Sequence, residues 1–122
     1  MKTVTVTIST IVGGGICVSA SDGQKVYQVV QKVVASGDRV VLSFSGITRM
    51  TTAFLNAAVG QLYGEYTEEE IKQRLAPPIE FEPWHLSRLK LVVDRAKLFF
   101  RDSGRLNKVF NENAGFDDDE NI

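Results

Sequence analysis

The chain contains one cysteine (Cys17), one histidine (His85) and one tryptophan (Trp84) in 122 residues. A single cysteine excludes an intrachain disulfide, and no Cys/His pair has zinc-site spacing. A nucleophilic triad needs a nucleophile, a base and an orienting acid, and no such set is suggested around His85. Walker A, G-x-G-x-x-G and G-x-S-x-G motifs do not occur. With 14 Lys/Arg against 15 Asp/Glu, the formal charge of -1 offers no overall attraction for nucleic acid or an anionic membrane. No run approaches the ~18 consecutive apolar residues of a membrane helix. The opening MKTVTVTIST also lacks the apolar segment of a signal peptide. These absences lead us to expect a soluble, cytoplasmic protein that is not an enzyme and uses no cofactor or metal.

The residues that are present describe one domain. At 43% hydrophobic and 24% charged, the composition supports a packed core. From Thr3 to Val12 the β-branched residues alternate, which predicts a strand with one buried face. Gly13-Gly14-Gly15 predicts a turn into a second, antiparallel strand at Ile16-Cys17-Val18, with Cys17 as a small buried thiol. Ser21 and Gln24 form a capping-box pattern ahead of Val26, Val29, Val30, Val33 and Val34 at helical spacing. Arg39 to Ile47 predicts a strand covered on both faces. A helix is expected from about Thr52 to Leu62, and another begins at Thr67-Glu68-Glu69-Glu70 with a second capping box. The acidic triplet suits the positive end of that helix better than it suits a metal.

After Pro77-Pro78, Ile79 to Glu82 reads as a short strand, and Pro83 can open the last long helix. His85 reads there as a surface or capping residue. Between Arg88 and Lys108 there are seven Lys/Arg and two Asp, read as a solvated helix face rather than a nucleic-acid interface. Gly104 is expected to interrupt the helix. The predicted order is β-β-α-β-α-α-β-α: an α/β domain over residues 1–102 with a mixed sheet and helices mainly on one face. An acidic extension over 103–122, partly disordered, follows. A right-handed crossover is expected between Ile16 and Ile47 should those strands be parallel neighbours.

The stretch Val40 to Leu62, VVLSFSGITRMTTAFLNAAVGQL, resembles the STAS fold of anti-sigma-factor antagonists. Two further details resemble the uncharacterised STAS-like family more closely: Ser19-Ala20-Ser21-Asp22-Gly23, and Ala53-Phe54-Leu55 followed by Gly60-Gln61-Leu62-Tyr63-Gly64. In the antagonists a buried strand ends in Asp-Ser-Ser/Thr-Gly, and a hydroxyl there is phosphorylated by a partner kinase. Here Thr51 stands in place of the Asp and Phe54 in place of the Gly, while Thr52 retains the hydroxyl.

The resemblance implies a bacterial regulatory module that binds a kinase-like ATPase or an anti-sigma factor. It implies Thr52 as the candidate phosphoacceptor, and Arg49, Thr51, Thr52 and Asn56 as the partner-binding surface. From the residues alone, Thr51 or Thr52 can equally be a helix N-cap. A different class of reading places a small ligand or nucleotide at the carboxyl ends of the strands. It would lie in a groove between Ser19, Ser21 and Asp22 on one side and Thr51-Thr52 on the other.

Overall fold

The computed structural model describes residues 1–109. Strand β1, Thr3–Thr7, follows the predicted alternation, with Val6 buried. The strand stops there because Ile8, Ile11 and Val12 fall at helical spacing and form helix α1, Ile8–Val12. Gly13 ends α1 in the left-handed region, at φ 95°, and returns its N–H to Ser9. The predicted antiparallel hairpin is therefore replaced by a strand, a helix and a new strand. Strand β2, Ile16–Cys17, instead pairs in parallel with β4, Arg49–Met50, an element the sequence did not announce. Gly15 makes this possible: a Cβ there would sit 2.2 Å from the Gly46 carbonyl oxygen, and its own carbonyl accepts from Thr48 and Arg49.

Helix α2, Ala20–Ala35, starts two residues earlier than predicted. Ser19, not Ser21, is its N-cap, accepting from the Asp22 N–H at 3.1 Å. Val26, Tyr27, Val30 and Val34 form its buried face. Strand β3, Arg39–Ser43, is shorter than predicted and pairs in parallel with β1 from Thr3↔Arg39 to Thr7↔Ser43. On its other side the chain from Leu75 to Ile79 runs alongside through two parallel bridges, Val40↔Leu75 and Ser43↔Ile79. Pro77 and Pro78 have no N–H to give a ladder, and Glu80 takes φ 53°, so the predicted strand over Ile79–Glu82 is reduced to the bridge at Ile79.

Helix α3, Thr52–Ala58, passes into a 3₁₀ turn at Gly60–Gly64, a division the sequence did not predict. Helix α4, Glu68–Arg74, carries the expected capping box between Thr67 and Glu70. Helix α5 opens with Pro83, as expected, and continues unbroken through Gly104 to Val109. The observed order is thus β-α-β-α-β-β-α-3₁₀-α-α in an α/β domain. Every strand pair among the described residues is parallel, which corrects the predicted mixed sheet. The β2 and β3 strands are not neighbours, so the crossover expected between Ile16 and Ile47 joins different sheets. No helix among the described residues is long and apolar enough to cross a membrane. The acidic end, Asp117 to Glu120, lies outside the described residues.

One tertiary contact sets an alkaline limit on stability. The Tyr27 hydroxyl donates to the Glu65 carboxylate. Burial, and then the hydrogen bond to Glu65 and its charge, raise its pKa far above the ordinary tyrosine value; Tyr63 is raised as well, by burial, Glu68 and Asp94. In the unfolded chain these phenols titrate near pH ~10. Their stabilising contribution is accordingly complete below that pH and is lost as pH rises above it, because only the unfolded state gives up its protons. Urea denaturation should show stability falling from about pH 10 upward, with a shallower fall in Tyr27→Phe.

Candidate functional site

The Thr51-Thr52 pair divides its work. Thr51 is the N-cap of α3: its hydroxyl accepts from the Phe54 N–H at 3.2 Å and donates to the Val18 carbonyl at 2.9 Å. That second bond ties the end of β4 to the residue following β2. Thr52 is the first helical residue, half-buried, and its hydroxyl has no hydrogen-bond partner among the described residues. Asn56 stands one turn further along the same face, also half-buried, and Arg49 is exposed just before the cap. The four predicted partner-binding residues are therefore gathered at one corner, between the end of β4 and the start of α3.

Next to that corner opens a cleft of about 300 Å³, lined by Val18, Thr48, Arg49, Thr51, Trp84 and Arg88, with Met50 below. It lies where β2 and β4 end, the position at which parallel strands expose their last residues. Arg88 is fixed from two directions. One guanidinium N–H donates to the Met50 carbonyl, and the group lies over the Trp84 indole, 5.6 Å from the ring centroid. Neither Arg49 nor Arg88 pairs with a carboxylate among the described residues, and no carboxylate lines the cleft.

Trp84 and Arg88 were not singled out by the sequence as site residues. Their i,i+4 spacing at the start of an amphipathic helix was visible, but their meeting with β4 depends on where α5 docks. Ser19, Ser21 and Asp22, predicted to line a groove, do not line this cleft. Ser19 caps α2 and its hydroxyl is 3.3 Å from that of Ser21, while Asp22 pairs with Lys25 at 3.4 Å.

His85 is a capping residue, as one reading held, but it is buried rather than at the surface (2% exposed). Its Nδ1 accepts from the Glu82 N–H at 2.9 Å, which closes the first turn of α5. That fixes the tautomer: Nε2 carries the proton and donates to the Ile47 carbonyl at 3.0 Å. The ring stacks on Phe44 at 5.2 Å and meets Trp84 at a tilt, 4.1 Å between centroids. Cys17 is fully buried, and burial first, then the Asp22 charge, raise its thiol pKa. Raised and buried, it is a poor nucleophile at neutral pH. Among the described residues no group of three His, Cys, Asp or Glu could hold a metal ion. The basic face of α5 is partly neutralised in place, through Lys90–Asp94 at 2.8 Å and Arg101–Glu68 at 2.7 Å.

No curated protein and no solved structure compared with the chain gives a match. A family model does match, over residues 22–77, which take in most of α2, β3, β4, α3, the 3₁₀ turn and α4. The Thr51-Thr52 corner falls inside that segment, whereas Val18, Trp84 and Arg88 fall outside it. The family is described as a STAS-like domain of unknown function (DUF4325), and it is residues 22–77 of this chain that match its model.

Proposed function

We propose that the chain is a regulatory protein-interaction module that docks through the β4–α3 corner onto a kinase-like ATPase or an anti-sigma-like partner in the cytoplasm. The observation that carries this reading is the unpartnered Thr52 hydroxyl, set at the surface one residue beyond a cap that Thr51 already provides. Arg49 and Asn56 supply a charged and a polar contact on either side of it. Binding is favoured over catalysis because both ring nitrogens of His85 are engaged in buried hydrogen bonds and the Cys17 thiol is enclosed. A phosphate on Thr52 would add nearly two negative charges beside Arg49 and so change which surfaces the corner attracts. No refolding is needed for such a switch.

Affinity capture from cells of the source organism, with the wild type and Thr52→Asp, tests the switch. A carboxylate at this position should change the set of proteins retained, while the melting temperature stays within about 2 °C, as for a surface substitution. Identical sets from both baits would remove Thr52 as a switch. Substituting Arg49 and Asn56 together by alanine should then abolish capture if the corner is the docking surface.

A further inference from the structure

The cleft beside the corner has a charge pattern that docking alone leaves unused. Two arginines line one small space, no carboxylate lines it with them, and the guanidinium of one, Arg88, is already held in position. Organising a flexible arginine is ordinarily part of the cost of binding an anion, because a long side chain must give up its rotamer freedom. Here that cost is met in the free protein. The Met50 carbonyl takes one guanidinium N–H, the Trp84 indole supports the face, and the indole meets the His85 ring at a tilt, 4.1 Å between centroids, with Phe44 stacked on that ring. The remaining N–H donors of Arg88 are left to an incoming group. Arg49 is exposed and able to close over it from the β4 side. Thr48 also lines the cleft, its hydroxyl donating to the Gly15 carbonyl at 3.4 Å.

A planar fork of N–H donors matches the oxygens of phosphate or carboxylate in pairs, and two such forks match a dianion. We propose that this cleft is a binding site for a small phosphomonoester, whose phosphate is held between Arg88 and Arg49 and whose organic part rests against Val18 and Trp84. Phosphate is favoured over a single carboxylate because two positive charges, unanswered within the protein, are matched by its near-double charge at neutral pH. A volume of about 300 Å³ is at the small end of ligand sites, so the organic part is no larger than a sugar or a short acyl chain. The inference does not depend on Thr52 acting as a switch, since the ligand's contacts are Arg49, Arg88 and Trp84.

The one tryptophan of the chain is in the wall of the cleft, which gives a direct reading. Fluorescence of Trp84 is followed while ribose 5-phosphate is added to the full-length protein, with ribose and a phosphothreonine hexapeptide as parallel arms. The expected result is a saturable change with ribose 5-phosphate, none with ribose, and a loss of affinity of about tenfold or more in Arg88→Gln and in Arg49→Gln. Arg49 is exposed and its side chain makes no hydrogen bond among the described residues, so its variant should fold normally and keeps the test valid if Arg88→Gln is unstable. No saturable change up to about 10 mM overturns the proposal, as does an equal response to ribose. Unaltered affinity in Arg49→Gln, or a response confined to the phosphothreonine peptide, overturns it as well.

Discussion

His85→Ala is expected to lower the unfolding free energy by about 3 kcal/mol or more, among the largest losses any single side-chain truncation should cause here. Two mechanisms add. Removing a ring that is 2% exposed leaves a void between Phe44 and Trp84, and large-to-small changes in cores cost a few kcal/mol when neighbours cannot collapse. The Ile47 carbonyl and the Glu82 N–H also lose their partner, at about 1–3 kcal/mol for each group left dry. His85→Phe separates the two: the void is filled, the hydrogen bonds are not restored, and the loss should be about 2 kcal/mol. Urea denaturation should therefore rank the proteins wild type, then Phe, then Ala. A loss below about 1 kcal/mol in the alanine variant would show that the ring does not join α5 to the β3 exit.

That junction explains what was legible in the sequence and what was not. Several local signals were read well where the partner lay within four residues, although the cap of α2 was placed at Ser21 and stands at Ser19. The Thr67–Glu70 capping box and Pro83 at the head of α5 stand as expected, and the valine stripe of α2 is buried at Val26, Val30 and Val34. Failures came where distant chain decided the outcome. Period-2 alternation through Val4, Val6 and Ile8 runs past the actual stop at Thr7, where the pairing with β3 ends at Ser43 and the helical spacing of Ile8, Ile11 and Val12 takes over. The Gly13-Gly15 run looked like a hairpin because glycine permits any turn. Its actual uses are a helix terminus at Gly13 and a close approach to Gly46 at Gly15, and the second involves a residue 31 positions away. A two-residue strand such as β4 has no pattern to detect.

The candidate site divides along the same line. The Thr51-Thr52 pair was visible because the two hydroxyls are adjacent in sequence, although which of them served as the cap depended on Phe54 and on Val18. The cleft was invisible. Its walls come from three separated segments, around Val18, around Arg49 and around Arg88, and it exists only because α5 packs its first turn against the end of β4. Arg88 in the sequence is one cation in a basic stripe, and its fixed guanidinium is a property of the assembled fold.

The spacing of α2 and α3 is the other long-range decision, and it rests on one missing side chain. Gly23 sits inside α2, where glycine normally costs about 1 kcal/mol relative to alanine, so Gly23→Ala on an open helix would be stabilising. In this fold the added Cβ would lie 2.3 Å from the Phe54 carbonyl oxygen and 2.8 Å from the Ala57 Cβ. The oxygen belongs to the backbone of α3 and cannot rotate away, so the helices must separate. Overpacking of this kind costs about 1–3 kcal/mol and exceeds the propensity gain, so the net change should be destabilising. The melting temperature is expected to drop by roughly 5–10 °C. Gly14→Ala is the control, because a Cβ there meets nothing within 4 Å and should leave stability within about 0.5 kcal/mol. Should Gly23→Ala instead raise the melting temperature, α2 and α3 are not in backbone contact. Because α3 begins at the Thr51 cap, a shift of that helix would also move Thr52 and Asn56 relative to Arg49, so partner capture should weaken in Gly23→Ala even at temperatures where the variant remains folded.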